Sequence, residues 1–258
     1  MASVAWIAYT PVKGLRLLHR EEVEITEDGI PGDRAFFLVD ARNVMVSVTR
    51  LGPLAQVVAE HDPDEQTLSL RFPDGAQVTG QVELGEPEAV RFYHLNLHAR
   101  PLNGSFSQAL SEHCGKALRL VAAPPDRIGV DRGREGAVTL LSVASLERLR
   151  EEAGADGPID ARRFRMTFGV AGLQAHAEDG WIDREVRVGG ARVLVGGNVG
   201  RCAATTRQPD TGVVDFKALH YLQAYREEVA TTEPLPFGVH ARVVEPGRVR
   251  VGDAVEPV

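Results

Sequence analysis

Residues 67–82 read TLSLRFPDGAQVTGQV, and this stretch decides the fold class. Two short runs of strand-forming residues, Thr67–Phe72 and Gln77–Val82, flank the tripeptide Pro73-Asp74-Gly75. Proline presets the backbone angle φ, and aspartate and glycine accept the unusual backbone angles of a tight turn. The stretch therefore predicts two strands joined by a turn.

The same pattern recurs upstream. Short strand candidates follow one another at Val4–Ala8, Glu22–Ile25, Ala35–Val39, Met45–Thr49 and Gln56–Glu60. Turn residues separate them, as in Pro31-Gly32-Asp33 and Asp62-Pro63-Asp64. We therefore expect the first hundred residues to form an antiparallel sheet or barrel.

The second half mixes strands with a few helices. A helix is predicted at Ser105–Lys116, and the proline- and glycine-containing loop Ala122–Gly136 marks a boundary near residue 120. This gives two predicted domains, 1–120 and 121–258. Beyond the boundary we expect helices at Val143–Glu152 and Asp215–Glu227. The expected strands are Ala137–Leu141, Phe164–Val170, Glu185–Val188, Arg192–Val195, Val239–Val244 and, near the end of the chain, Arg248–Val251. Strands and long helices do not alternate, so the fold class is mixed α+β and β-rich rather than a doubly wound parallel sheet.

The charge, hydropathy and cysteine content of the chain argue against several classes of function. The 258-residue chain has a formal net charge of −7, which works against binding nucleic acid without sequence preference. The chain has neither a signal-peptide pattern at its start nor an apolar run of about 18 residues, so we expect a soluble cytoplasmic protein with no membrane contact. Its two cysteines, Cys114 and Cys202, are expected to be free thiols.

Three motifs lack residues that their usual function requires. The glycines between Gly189 and Gly200 lack the Lys-Ser/Thr and the helix of a phosphate loop, and hairpin turns explain them better. The triplet Asp210-Thr211-Gly212 occurs once, whereas aspartic proteases need two such carboxylates. His94 and His98 lack a third metal ligand nearby.

Cys202 differs from Cys114. Cys114 fits the apolar stripe of a predicted helix, where a buried thiol behaves as a small hydrophobic group. Cys202 follows Arg201, precedes Thr205 and Thr206, and lies in a glycine-rich loop. An adjacent guanidinium favours the thiolate, which is both a nucleophile and a ligand for soft metals. The residues alone leave open whether Cys202 has a function.

A set of segments along the chain resembles one family. They are Thr10-Pro11-Val12-Lys13-Gly14, Gly32-Asp33-Arg34 with Phe36–Asp40, Val138–Leu146, Arg163-Phe164-Arg165, Glu178–Trp181, Arg201-Cys202 and Asp210-Thr211-Gly212. In this order they resemble MOSC-domain proteins with an N-terminal β-barrel extension, the group that includes the mitochondrial amidoxime-reducing component and its bacterial relatives. The chain departs from the pattern at Gly14, where serine is frequent, and at Met166-Thr167, where Pro-Asn is frequent.

The resemblance implies an N-terminal β-barrel-like domain followed by a MOSC β-barrel domain with a few helices. It also implies a molybdenum cofactor, a pterin dithiolene with a phosphate tail, whose metal is held by Cys202. The residues implied to bind the cofactor are Lys13, Arg34, Ser142, Ser145, Arg165, Thr167 and Arg201. Guanidinium groups suit a phosphate, and Ser142 stands where a helix N-terminus would face an anion. Asp179 is implied beside the cofactor, where it would either relay protons or hold an arginine.

The implied activity is reduction of N-hydroxylated or N-oxygenated small molecules by a molybdenum-dependent oxidoreductase. The chain lacks a four-cysteine ferredoxin cluster, so electrons would arrive from a separate protein of the ferredoxin or flavin reductase type. The same resemblance allows two alternative functions. One is a sulfur carrier or transferase that holds a persulfide on Cys202, and the other is a non-catalytic module that binds the molybdenum cofactor. The family is also associated with pyridoxal phosphate binding.

Overall fold

The computed structural model describes residues 1–124, 132–231 and 233–258. The strand-rich class predicted from the sequence is confirmed. The elements before residue 125 are β1 (Ser3–Tyr9), β2 (Leu18–Arg20), β3 (Glu22–Ile25), β4 (Phe36–Asp40), β5 (Met45–Val46), β6 (Val58–Asp62), β7 (Thr67–Arg71), β8 (Gln77–Gln81), β9 (Glu88–Phe92), β10 (Leu95–Pro101), α1 (Phe106–Cys114) and β11 (Leu118–Ala122).

The later elements are β12 (Val138–Ser142), α2 (Val143–Ala153), β13 (Phe168–Ala171), β14 (Glu185–Val188), β15 (Ala191–Gly200), α3 (Ala218–Arg226), β16 (Pro236–Glu245), β17 (Gly247–Arg250) and β18 (Val255–Pro257). Short 3₁₀ turns lie between them, two of which matter for the site: Ala161–Phe164 and Ala203–Thr206.

The hairpin predicted from residues 67–82 is present. Strands β7 and β8 pair antiparallel, with Thr67 opposite Gln81, and β6 adds a third strand. Gly75 has φ +89°, the left-handed conformation that the turn needs and that glycine adopts at no steric cost. Leu68 and Leu70 point into the core that this sheet shares with α1.

The largest sheet has eight strands in the order β18-β14-β15-β16-β12-β13-β1-β2. Most neighbours are antiparallel, whereas β12 and β13 run parallel and are connected through α2. Strand β1 precedes the boundary predicted near residue 120, whereas its partner β13 follows it, so the sheet contains strands from both sides of that boundary. In the same way β3 pairs with β17. The sheet of the second half is completed by strands from the first.

The predicted strand Phe164–Val170 is shorter in the structure. Its first residue ends a 3₁₀ turn, which the Asp160 carboxylate caps by accepting the Arg162 N–H. Arg165 then adopts φ +54°, so the strand begins only at Phe168. Similarly, β5 ends at Val46, because the Ser47 carbonyl accepts the N–H groups of Arg50 and Leu51 in a turn.

The two halves of the chain meet at backbone-to-backbone contacts. Gly52, in the first half, packs directly on Gly212, and a Cβ atom at Gly52 would lie 2.5 Å from the Gly212 carbonyl oxygen. Arg207 spans the same contact: its Nη1 donates to the Gly212 carbonyl at 2.7 Å and its Nη2 to the Thr49 carbonyl at 2.9 Å. Close packing of glycine backbones therefore fixes how the halves approach one another.

Within the described residues, no helix combines the length and the apolar character needed to span a membrane.

We expect Gly52→Ala to lower the free energy of unfolding by roughly 1–3 kcal/mol, because its methyl group has no space against Gly212. Denaturant unfolding measures this change. The control is Gly180→Ala, whose Cβ would meet no atom within 4 Å; its effect should stay within about 0.5 kcal/mol. Equal effects of the two substitutions would contradict the tight contact.

Candidate functional site

A cleft of about 890 Å³ opens between the two halves of the chain. Six of the residues predicted for the site line it together: Lys13, Arg34, Arg165, Thr167, Arg201 and Cys202. They come from segments as far apart in sequence as Lys13 and Cys202, and only the fold brings them to one place. The volume is within the range of small-molecule and cofactor sites.

Cys202 is exposed to this cleft at the point where β15 has ended and the turn Ala203–Thr206 begins. The backbone of Cys202 is extended, with φ −125°. Its carbonyl accepts the Thr205 N–H at 3.1 Å and the Thr205 hydroxyl at 3.0 Å. Since Thr205 is itself buried, these bonds hold the cysteine backbone while its thiol faces the cleft.

Thr49 approaches Cys202 from the other half of the chain. Its hydroxyl oxygen lies 4.0 Å from the Cys202 sulfur, the outer limit of a hydrogen bond to sulfur. No motif marks Thr49 in the sequence, because its significance comes from contact with a residue 153 positions away. The contact depends on the Arg207 guanidinium, which holds the Thr49 carbonyl.

Arg201 lines the cleft, yet its guanidinium is used inside the protein. Nε donates to the Phe237 carbonyl and Nη1 to the Phe164 carbonyl, both at 2.9 Å, and Nη2 contacts the Met166 sulfur at 2.8 Å. Burial of the guanidinium lowers the pKa of Arg201 to about 9, and the neighbouring Cys202 acts in the opposite direction. Arg201 was predicted to bind the cofactor, whereas its contacts are those of a residue that holds the Cys202 loop in place.

Arg34 and Arg165 form a bridge across the cleft floor. Arg34 forms a short ion pair with Asp33 and donates from Nη2 to the Arg165 carbonyl at 2.9 Å. Arg165 in turn donates from Nη2 to the Leu15 carbonyl at 2.8 Å. Both residues have positive φ, at +50° and +54°. The two guanidinium groups are thus fixed in position before any ligand binds.

Positive charge dominates the cleft although the whole chain is acidic. The lining contains nine lysine and arginine residues, against two carboxylates among the described residues. The nine are Lys13, Arg34, Arg42, Arg50, Arg91, Arg132, Arg163, Arg165 and Arg201. The carboxylates Asp33 and Glu233 are each paired with an arginine, Arg34 and Arg132 respectively. Such a lining attracts anions.

Ser142 and Ser145 do not line the cleft, which corrects their predicted placement. Both are fully buried at the start of α2. The Ser142 N–H and the Ser145 hydroxyl donate to one carboxylate oxygen of Glu178, at 3.1 and 3.3 Å. The N-terminus of α2 thus contacts a carboxyl group of the same protein rather than the cleft.

Asp179 also lies away from the cleft lining. Its carboxylate accepts from Asn198 Nδ2 at 2.7 Å and from Arg226 Nη2 at 2.6 Å. Arg226 is buried and donates further to the Pro236 carbonyl. Of the two roles considered for Asp179, holding an arginine is the one that these contacts serve.

The other motifs of the sequence are structural. Gly189-Gly190 forms the turn between β14 and β15, in agreement with the hairpin prediction. Asp210 binds Arg162 through both carboxylate oxygens, at 2.8 and 2.7 Å, and its carbonyl accepts from Arg16. Cys114 is half-buried in the core of the first half, where burial raises the pKa of its thiol to about 11.

In the part of the chain that the structure describes, no three His, Cys, Asp or Glu side chains form a group that could hold a metal ion. His94 and His98 belong to no such group, and His94 lies in the turn before β10 rather than within the strand. The Cys202 thiol thus has no neighbouring set of possible metal ligands among the described residues.

Family models match both halves of the chain: the MOSC domain at residues 125–256 and the MOSC N-terminal beta barrel domain at residues 1–116. The chain belongs to the MOSC family. It is 26% identical to mitochondrial amidoxime-reducing component 1 of Mus musculus, over 99% of this chain and 82% of the relative. Identity to the same component of Xenopus laevis is 27%, over 98% and 81%. The YuaD protein of Bacillus subtilis, a solved structure, aligns with a TM-score of 0.45 at 12% identity, covering 100% of this chain and 96% of that one.

A buried cluster of ionisable groups lies behind this MOSC site. Glu178 is fully buried with one carboxylate oxygen lacking a protein partner, and burial raises its pKa to about 7. His176 packs against Tyr225 and Phe237, and burial lowers its pKa to about 4. The two shifts have opposite effects on the pH dependence of stability.

Because the pKa of Glu178 is higher in the folded protein, protonation of Glu178 contributes its full stabilisation at pH values below the ordinary pKa of 4.5. This stabilisation is lost as the pH rises through the folded pKa of about 7. Glu178→Gln keeps a neutral acceptor for Ser142 and Ser145, so the loss should disappear. We expect the stability of the variant relative to wild type to rise between pH 5 and 8 by up to about 3 kcal/mol. Denaturant unfolding at each pH measures it, and His176 cancels because both proteins contain it. A difference that is constant with pH would contradict the shift.

Proposed function

We propose that this protein is a molybdenum-cofactor-dependent reductase of N-hydroxylated or N-oxygenated small molecules, with Cys202 as the protein ligand of the metal. The observation that carries the proposal is the exposed Cys202 thiol in a large cleft whose lining is strongly cationic. The relatives named amidoxime-reducing component, which align over nearly the whole chain, support the same activity.

The residues of the cleft fit such a cofactor. One thiolate alone cannot complete the coordination of a metal, and no further group of protein ligands lies in the described residues. A metal at Cys202 would therefore bring its other donors with it, as a pterin dithiolene does. Thiolate sulfur suits a soft, redox-active metal.

The phosphate tail of the cofactor would bind the cations of the floor. Arg34 and Arg165 are held by backbone carbonyls on either side of the cleft, so their orientation needs no rearrangement on binding. Lys13 adds a third charge. Thr139 and Thr167 also line the cleft, where their hydroxyls lie 3.2 Å apart and each accepts the backbone N–H of the other residue, so they hold this wall in place.

The cofactor, when bound, supplies a centre that takes up and delivers two electrons. Reduction of an amidoxime consumes two electrons and two protons: the N–O bond breaks, the oxygen leaves as water and an amidine remains. The described carboxylates of the lining, Asp33 and Glu233, are occupied by arginines. Water in the open cleft and side chains such as His94 remain as proton donors, and Asp179 supports the fold behind the cleft.

The electrons come from a separate protein, of the ferredoxin or flavin reductase type. The exposed arginines Arg42, Arg50 and Arg91 surround the cleft mouth and would attract an acidic donor. Electron-transfer encounters of this kind are brief and steered by charge.

In protein made without the cofactor, we expect Cys202 to react with iodoacetamide much faster than Cys114, because only Cys202 is exposed and the pKa of Cys114 is raised to about 11. Peptide mass spectrometry after short labelling at pH 8 measures both sites in one sample. Cys202→Ser should remove the fast phase, and Cys114→Ser should leave it unchanged. Faster labelling at Cys114 would show that Cys202 is not accessible in solution.

Protein made in a host that synthesises the cofactor should contain molybdenum at close to one atom per chain. Cys202→Ser should lower amidoxime reduction by about 100-fold or more, since even groups that only support a metal ligand are worth 10- to 100-fold. Metal analysis and an assay with a chemical reductant measure these changes, and Cys114→Ser is the matched control.

The remaining outcomes separate the alternatives. A persulfide on Cys202 without molybdenum would favour the sulfur carrier and contradict the reductase. Stoichiometric cofactor without turnover of any N-hydroxylated compound would favour a cofactor-binding module.

A further inference from the structure

Tyr93 occupies an unusual backbone position at the cleft mouth. Strands β9 and β10 are joined by two residues, Tyr93 and His94, because Phe92 pairs with Leu95. Tyr93 has φ +52°. Glycine or asparagine is the usual choice where a tight hairpin turn needs positive φ, and a bulky residue there is a genuine outlier. Such outliers concentrate at functional sites, so the tyrosine side chain itself needs an explanation.

The Tyr93 ring is exposed and yet held in place. Its exposed fraction is 51%, whereas the adjacent Phe92 is buried and meets the ring edge-to-face with centroids 5.1 Å apart. The Lys13 ammonium lies 5.6 Å from the ring centroid, and Arg91 Nε donates to the Tyr93 carbonyl at 3.2 Å. The hairpin is also anchored at its base, since the Arg91 N–H donates to the Asn43 carbonyl. An exposed ring of fixed orientation loses little conformational freedom when a ligand stacks on it.

The cleft has two zones that suit different ligands. Its floor contains the half-buried cations Arg34 and Arg165, which suit a resident anionic cofactor. Its mouth carries the exposed Tyr93 and His94, at the tip of a hairpin. A substrate that exchanges at every turnover passes the mouth, so it meets the Tyr93 ring.

We propose that Tyr93 determines substrate specificity by stacking on planar aromatic substrates, so that aryl N-hydroxylated compounds bind better than aliphatic ones. This inference rests on the proposed reductase function. Ring pairs in stacked or edge-to-face arrangements gain energy beyond their buried area, which an aliphatic substrate does not obtain. The arginines at the mouth further disfavour substrates that carry positive charge.

The test compares benzamidoxime with acetamidoxime, which share the reacting group and differ in the ring. Tyr93→Asn removes the ring and keeps a residue that tolerates positive φ, whereas Tyr93→Phe keeps the ring. With a chemical reductant in place of the donor protein, we expect Tyr93→Asn to raise the KM for benzamidoxime roughly 3- to 10-fold. The kcat for benzamidoxime, the KM for acetamidoxime and both constants of Tyr93→Phe should stay within about twofold of wild type.

Gln66→Asn is the matched control, since Gln66 has φ +51° in another exposed hairpin and is not a lining residue of the cleft. It should change neither KM. An equal rise of KM for both substrates in Tyr93→Asn would overturn the proposal, since it would indicate a general effect on access. Loss of pterin and molybdenum in Tyr93→Asn would also overturn it, because the ring would then contact the cofactor.

Equilibrium dialysis of benzamidoxime against the purified protein without reductant gives a readout that does not depend on turnover. Weaker binding of benzamidoxime to Tyr93→Asn than to wild type and Tyr93→Phe supports the stacking site, whether or not the compound is reduced. Absence of reduction would count only against the reductase function. Equal binding by all three proteins would overturn the role of Tyr93 while leaving reductase activity to be judged by its own assay.

Discussion

The buried guanidinium of Arg201 is the interaction on which the rest of the site depends. An arginine inside a protein is costly unless its donors are satisfied, and here backbone carbonyls satisfy them instead of a carboxylate. These carbonyls belong to Phe164, which ends a 3₁₀ turn, and to Phe237 in β16. One side chain thus ties three separate segments together beside Cys202. The direction of the thiol follows from this arrangement rather than from any property of the cysteine.

The cleft exists only because the two halves of the chain are fixed against each other. On the cleft floor Arg34 donates to the Arg165 carbonyl and Arg165 donates to the Leu15 carbonyl. Beside the cysteine, Arg207 donates to the carbonyls of Thr49 and Gly212. Each of these arginines uses some of its donors on the backbone, so the halves cannot separate without breaking these hydrogen bonds. Neither half could form the site alone, since Lys13 and Cys202 come from opposite sides of the contact.

Local patterns in the sequence were sufficient for the hairpin at residues 67–82 and for the β-rich class. They failed where a distant residue decides the outcome. Ser142 precedes a helix as predicted, but Glu178, 36 positions away, occupies the helix N-terminus. Strand β9 was not predicted, although the buried Val90 and Phe92 alternate with the exposed Ala89 and Arg91. Thr49 and Tyr93 carry no motif, because their significance comes from tertiary contacts and from a backbone angle.

Backbone strain and charge point to the same place. Arg34, Arg165 and Tyr93 have positive φ without being glycine, and all three line the cleft. Positive φ at a residue other than glycine also occurs away from the cleft, for instance at Gln66, so the strain is informative here because it coincides with the cleft lining. Two of the three are cations in a chain of net charge −7. The fold therefore accepts unfavourable conformations and concentrated positive charge in one region, and a resident anion in that region would offset the repulsion among the cations.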